Sequence, residues 1–116
     1  MAKEVEVDVW ERATLLVMVE SLSGQLSIPT LSRALKLQEI LELNEAEMEE
    51  VGWQEVGPRA YRWSRIAEDT TVVLPFPQRL WKLLKGTAQN YQGWPLDDRV
   101  LLLLDKLGIE LPDDED

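Results

Sequence analysis

The chain contains neither cysteine nor histidine. Without cysteine there can be no disulfide framework, thiol nucleophile or thiolate metal site, and nothing in the usage calls for an oxidising compartment. Without histidine the commonest general base and transition-metal ligand are also gone, which leaves carboxylate chemistry or hard-cation sites. The expectation is therefore a non-enzymatic protein with no cofactor. Long apolar runs are missing too. The longest unbroken ones, residues 15–19 and 100–104, fall far short of the roughly 18 residues needed to span a bilayer. The opening Met-Ala-Lys-Glu-Val-Glu-Val-Asp is too charged for a secretory signal. Both readings point to the cytoplasm and away from the membrane.

Positive charge is scarce as well. Twelve Lys and Arg face 22 Asp and Glu, a formal net charge of -10, which repels phosphate backbones and argues against a general nucleic-acid binder. The excess is uneven. Residues 1–58 carry 12 acids and 4 bases, and residues 86–116 carry 8 acids and 2 bases. Residues 59–85 reverse the sign, setting Arg59, Arg62, Arg65, Arg79, Lys82 and Lys85 against Glu68 and Asp69.

At 116 residues the chain is one domain's worth, long enough to bury roughly two thirds of its unfolded surface in a single core. Residues 1–110 read as that domain. Residues 111–116, an acidic tail with nothing to bury, are expected to be disordered. There is no internal repeat.

Residues 3–9 alternate, with Val5, Val7 and Val9 opposite Glu4, Glu6 and Asp8, as in a half-buried strand. Asp8 can cap the helix that follows, with Glu11 completing a capping box. That helix, to about Leu22, is apolar over a broad face and should be mostly buried. Ser27-Ile28-Pro29 opens a second helix, with Leu31, Ala34, Leu35, Leu37, Ile40 and Leu41 at helical spacing. Asn44 and Glu47 form another capping pair for a short acidic helix that Gly52 ends. Its four glutamates form a solvated face, with Met48 and Val51 turned inward.

Residues 53–56 and 60–64 read as two strands joined around Gly57-Pro58. Residues 70–74 read as a third, β-branched and bounded by Pro75 and Pro77. One small antiparallel sheet is expected, of three strands or four with the N-terminal one. A clear amphipathic helix covers residues 77–91, with Leu80, Leu83, Leu84, Thr87, Ala88 and Tyr91 opposite Arg79, Lys82, Lys85 and Gln89. A last helix, residues 97–107, carries Leu101, Leu102, Leu103 and Leu104 in a row. Being apolar all round, it is either sunk in the core or shared with another subunit, which makes those leucines the candidate homodimer surface. The whole is an α+β domain, mainly helical with about five helices, and winged-helix-like at most in outline.

The order of these features resembles a widespread group of small, uncharacterised phage and prophage proteins. It is carried by Glu11-Arg12 and Leu15-Leu16, by Pro29-Thr30-Leu31 with Arg33 and Leu35, by the acidic residues 44–50, and by Gly57, Tyr61 and Trp63 before a strand and two closing helices. The resemblance covers residues 10–108 and implies a compact α+β fold of viral or prophage origin. It brings no functional residues with it.

The sharpest candidate contact surface is the basic aromatic stretch: Arg59, Arg62 and Arg65 beside Tyr61 and Trp63, then Arg79, Lys82 and Lys85 on a helix face. A single-strand or RNA site would use such cations for phosphates and the rings for stacking. Strand geometry, however, puts Arg62 on the side opposite Tyr61 and Trp63. The packing reading, in which the rings join the core and the cations pair with glutamates, is preferred. A DNA-reading winged helix is disfavoured because the helix before the hairpin carries four carboxylates. Carboxylate pairs such as Asp97 with Asp98, or Glu47 with Glu50, are more simply caps than metal sites. The expectation is thus an accessory protein that binds an unidentified host or phage protein. Weak nucleic-acid binding through the basic hairpin, or acidic mimicry of nucleic acid, are the alternatives.

Overall fold

Two strand-to-helix junctions organise the core. The computed structural model describes residues 2–22, 26–58, 60–64 and 70–110. Strand β1 (Ala2–Asp8) runs directly into α1 (Val9–Glu20), and β4 (Thr71–Pro77) runs directly into α4 (Gln78–Asn90). The two strands pair antiparallel, with Val5 opposite Leu74 and Asp8 opposite Thr71. Their shared inner face buries Val5, Val7, Leu74 and Phe76, while Glu4, Glu6, Val73 and Pro75 face out. Pro75 and Pro77 are tolerated because a two-stranded ribbon leaves one edge of each strand without a ladder. Such a ribbon is marginal alone, and here α1, α2 (Ile28–Leu41) and α4 pack around it.

Local chemistry places the helix ends where the capping signals put them. Asp8 accepts from the Glu11 amide at 2.7 Å while Glu11 accepts from the Asp8 amide at 3.0 Å, and Ser27 caps α2. Asn44 and Glu47 repeat the box on α3 (Glu45–Val51), which ends at Gly52 with φ of 67°, a left-handed turn that glycine adopts without strain. The hairpin follows as β2 (Gln54–Gly57) and β3 (Ala60–Arg62). The Trp53 amide donates to the Met48 carbonyl and the Ser64 amide to the Val51 carbonyl, tying the hairpin to α3.

The described residues therefore form five helices and two antiparallel two-stranded sheets, an α+β fold that is mainly helical. The strands do not join into the single sheet expected. The third strand candidate reaches back past the hairpin to the N-terminal strand, because that pairing buries Leu74 and Phe76 against Val5 and Val7. No described helix is long and apolar enough to cross a membrane. The acidic tail, 111–116, lies outside the described residues.

The last helix, α5 (Arg99–Lys106), is two-faced rather than apolar all round. Val100, Leu103, Leu104 and the following Leu107 are buried, whereas Leu101 and Leu102 are 51% and 66% exposed. Spacing of three and four residues puts the first set on one face and leaves Leu101 and Leu102 off it. Leu103 and Leu104 thus belong to this chain's own core and are not available to a second copy.

The least expected part of the interior is ionic. Arg12, 3% exposed, donates through Nε to the Leu41 carbonyl at 3.2 Å, through Nη2 to the Glu42 carbonyl at 2.8 Å and through Nη1 to Glu47 Oε2 at 2.8 Å. One guanidinium thereby satisfies the open carbonyls at the end of α2 and pins α3 to α1. Glu47, expected on a solvated face, serves both this pair and its own capping box. Glu11 is equally buried and accepts from Lys106 Nζ at 2.7 Å, joining α5 to the β1–α1 junction.

Candidate functional site

The hairpin carries an aromatic stack. Trp53 lies 4.7 Å from Tyr61 and 5.8 Å from Trp63, ring centroid to ring centroid, in nearly parallel arrangement. Alternation along β3 sends Tyr61 and Trp63 to the same side, half-buried against the core, and turns Arg62 outward. The rings are thus packing residues on one side. On the other they remain open.

That open side forms one wall of a groove of about 290 Å³ between Ala13, Thr14 and Val17 of α1, Ala60, Tyr61 and Trp63 of the hairpin, and Tyr91, Gly93 and Pro95 beyond α4. Tyr91 has close neighbours on two sides. Trp94 meets its ring edge-on at 5.1 Å, and Gly93 lies so close that an added Cβ would sit 2.5 Å from the Tyr91 hydroxyl. A side chain at position 93 would displace the Tyr91 ring from this approach.

One lining residue reaches a carboxylate just outside the groove. The Tyr61 hydroxyl donates to Glu20 Oε1 at the end of α1. Burial first, then this hydrogen bond and the charges of Glu20, Glu55 and Glu42, push the Tyr61 phenol well above the ordinary tyrosine range. Tyr61 is therefore a fixed neutral donor. Among the described lining residues there is no cation.

The cations of the expected contact surface go elsewhere. Arg59 and Arg65 lie outside the described residues. Arg62 is exposed and donates to Gln54 Oε1 at 2.6 Å. Arg79 faces α2, Lys82 lines a hollow toward Ser21 and Leu22, and the Lys85 ammonium lies beside Gly108. Each addresses a different neighbour, so the described members form no single surface with the rings. Nor do Arg79, Lys82 and Lys85 pair with glutamates: among the described residues none of them makes an ion pair.

One member of each carboxylate pair weighed as a metal site takes a structural partner. Asp97 accepts from the Arg99 amide and guanidinium at 2.7 to 3.2 Å, and these bonds hold its carboxyl below the usual range. Partial burial pushes Glu47 up, but the bonds from Arg12 and the Asn44 amide outweigh it and leave the carboxyl below its ordinary value. Burial raises Asp8 more than the Glu11 amide lowers it.

The groove escaped the sequence reading because its walls come from residues 13–17, 60–63 and 91–95. The alternation of Tyr61 and Trp63 was its only local signal. No family profile, curated protein or solved structure matches the chain.

Proposed function

We propose that this chain is a non-catalytic binding domain that holds a segment of a partner protein in the groove between α1, the hairpin and the α4–α5 connection. The observation that carries the reading is the groove itself: Tyr61, Trp63 and Tyr91 present aromatic surface to solvent beside the Glu20 carboxylate. Rigid aromatic side chains with a polar tip are favoured contact residues, since they bury large area at small entropic cost. Cations are attracted both to the faces of such rings and to the Glu20 carboxylate that Tyr61 holds. The segment that suits the groove is therefore apolar with lysine or arginine interspersed, and the overall charge of -10 steers a basic partner toward it.

The absence of cysteine and histidine from the sequence supports a non-catalytic role. That the partner is a host or phage protein in a bacterial cytoplasm belongs to the same proposal and rests on the order of elements alone. Weak nucleic-acid binding through the hairpin is less well supported, because the outward Arg62 and the rings occupy opposite sides of β3.

Fluorescence anisotropy with a labelled blocked peptide alternating arginine and leucine tests the reading. Saturable binding is expected at about 150 mM salt, with weaker binding to an arginine-serine peptide and none to a glutamate-leucine peptide. Equal binding of all three, or binding unaffected by Trp63→Ala, would remove it.

A further inference from the structure

On the α2–α4 face the electrostatics reverse. Arg33 and Lys36 of α2 and Arg79 of α4 line one groove of about 370 Å³, with Ser32, Pro29 and Pro77 completing its walls. No carboxylate is among the described lining residues. Among the described residues none of the three cations makes an ion pair or side-chain hydrogen bond, although acids outnumber bases 22 to 12 in the chain. Helix α4 contributes no acid at all along its 13 residues.

Three like charges converging on one hollow repel one another, and each brings unused donors. An anion relieves the repulsion and takes up the donors together. The two arginines can each grip a pair of oxygens in fork geometry, and the lysine adds a compact third charge. Ser32 supplies a neutral donor to the same space. The proline walls and the packed α2–α4 pair hold the backbones that carry the cations on a common scaffold, so only the side chains need to order on binding.

We propose that this groove is a binding site for a small phosphate-bearing molecule with at least two negative charges. Its volume lies within the range of small-ligand sites. Compactness matters. A diphosphate group is small enough to stay within the groove, whereas a long polyanion must also cross the rest of the surface of a chain with net charge -10 and is repelled by it. The inference is independent of the aromatic groove, since the two share no lining residue.

Titration of the isotope-labelled protein with inorganic pyrophosphate, at constant ionic strength of about 150 mM, tests the site through amide shifts. Saturable shifts are expected at Ser32, Arg33, Lys36, Arg79 and Leu80, with affinity weakened about tenfold by Arg33→Gln or Arg79→Gln and unchanged by Lys85→Gln. These side chains have no partners to lose, so the variants should fold, and unchanged melting temperatures will verify that they do. No saturation by about 10 mM pyrophosphate, or shifts spread equally over Lys82 and Lys85 and insensitive to Arg79→Gln, would overturn the proposal. A short oligothymidylate is the second arm. Binding that tightens with its length and outcompetes pyrophosphate would also overturn it, in favour of a nucleic-acid surface.

Discussion

Two regions of this molecule use the same side chain to opposite ends. At the N-terminal half of α1, Arg12 is buried and spends its donors on two backbone carbonyls and Glu47. Between α2 and α4, Arg33 and Arg79 have no side-chain partner among the described residues and face a groove. A basic residue that the fold consumes cannot also receive a ligand. One that the fold leaves unsatisfied adds little to stability and is free to bind. The aromatics divide the same way: Phe76 is fully buried, while Tyr61, Trp63 and Tyr91 remain open along one side.

The sharpest way to break the contrast is to truncate both kinds of arginine. Arg12→Ala should cost about 3 to 5 kcal/mol, because it strands Glu47 and two helix-end carbonyls. Arg79→Ala should change stability by less than about 0.5 kcal/mol. Urea unfolding of the two variants measures both. A loss below about 1 kcal/mol for Arg12→Ala would mean that water readily replaces the guanidinium.

Within α5 the same division can be drawn with one residue type. Leu103→Ala should lose about 2 to 5 kcal/mol through an unfilled cavity, whereas Leu102→Ala should stay within about 0.5 kcal/mol. Equal losses would contradict the two-faced helix.

A smaller effect, about 1 to 2 kcal/mol at neutral pH, is expected for Glu47→Gln, which weakens one charged bond while Arg12 keeps its carbonyls. The pH dependence has a definite sign. Glu47 binds its proton less tightly folded than unfolded, so its contribution is present above its ordinary value of 4.5 and is lost as pH falls through its lower folded value. The fall in melting temperature on acidification below about pH 4.5 should therefore be shallower in Glu47→Gln than in the parent. A steeper fall would show that the carboxyl is not held by Arg12.

Much of the fold could be read from the chain because its signals are local. Asp8 with Glu11, Ser27 before Pro29, and Asn44 with Glu47 and Gly52 each define a helix end within four or five residues. The alternation of residues 3–9 and of Tyr61 with Trp63 assigned faces without tertiary information. What stayed hidden joins distant segments. The β1–β4 pairing spans most of the chain, and no local turn announces it. Arg12 carries an exposed residue's chemistry, yet its neighbours Trp10, Ala13, Leu15 and Leu16 are apolar, and that setting was the available hint that it needs buried partners. Lys82 and Lys85 were grouped with Arg79 by helix periodicity, but only tertiary packing brings Arg79 to Arg33 and Lys36.

A modest change in stability should accompany a large change in binding at Gly93. An added methyl meets the far end of the Tyr91 ring, which can swing away, so Gly93→Ala should fold with a loss of about 1 kcal/mol or less while moving one wall of the aromatic groove. The most direct test of the central claim is an amide-shift titration of parent and Gly93→Ala proteins with the arginine-leucine peptide. Saturable shifts are expected in the parent, confined to the surroundings of Ala13, Val17, Tyr61, Trp63 and Gly93, with affinity weakened at least about tenfold in the variant. Shifts centred elsewhere, or equal affinity in the two proteins, would contradict that claim.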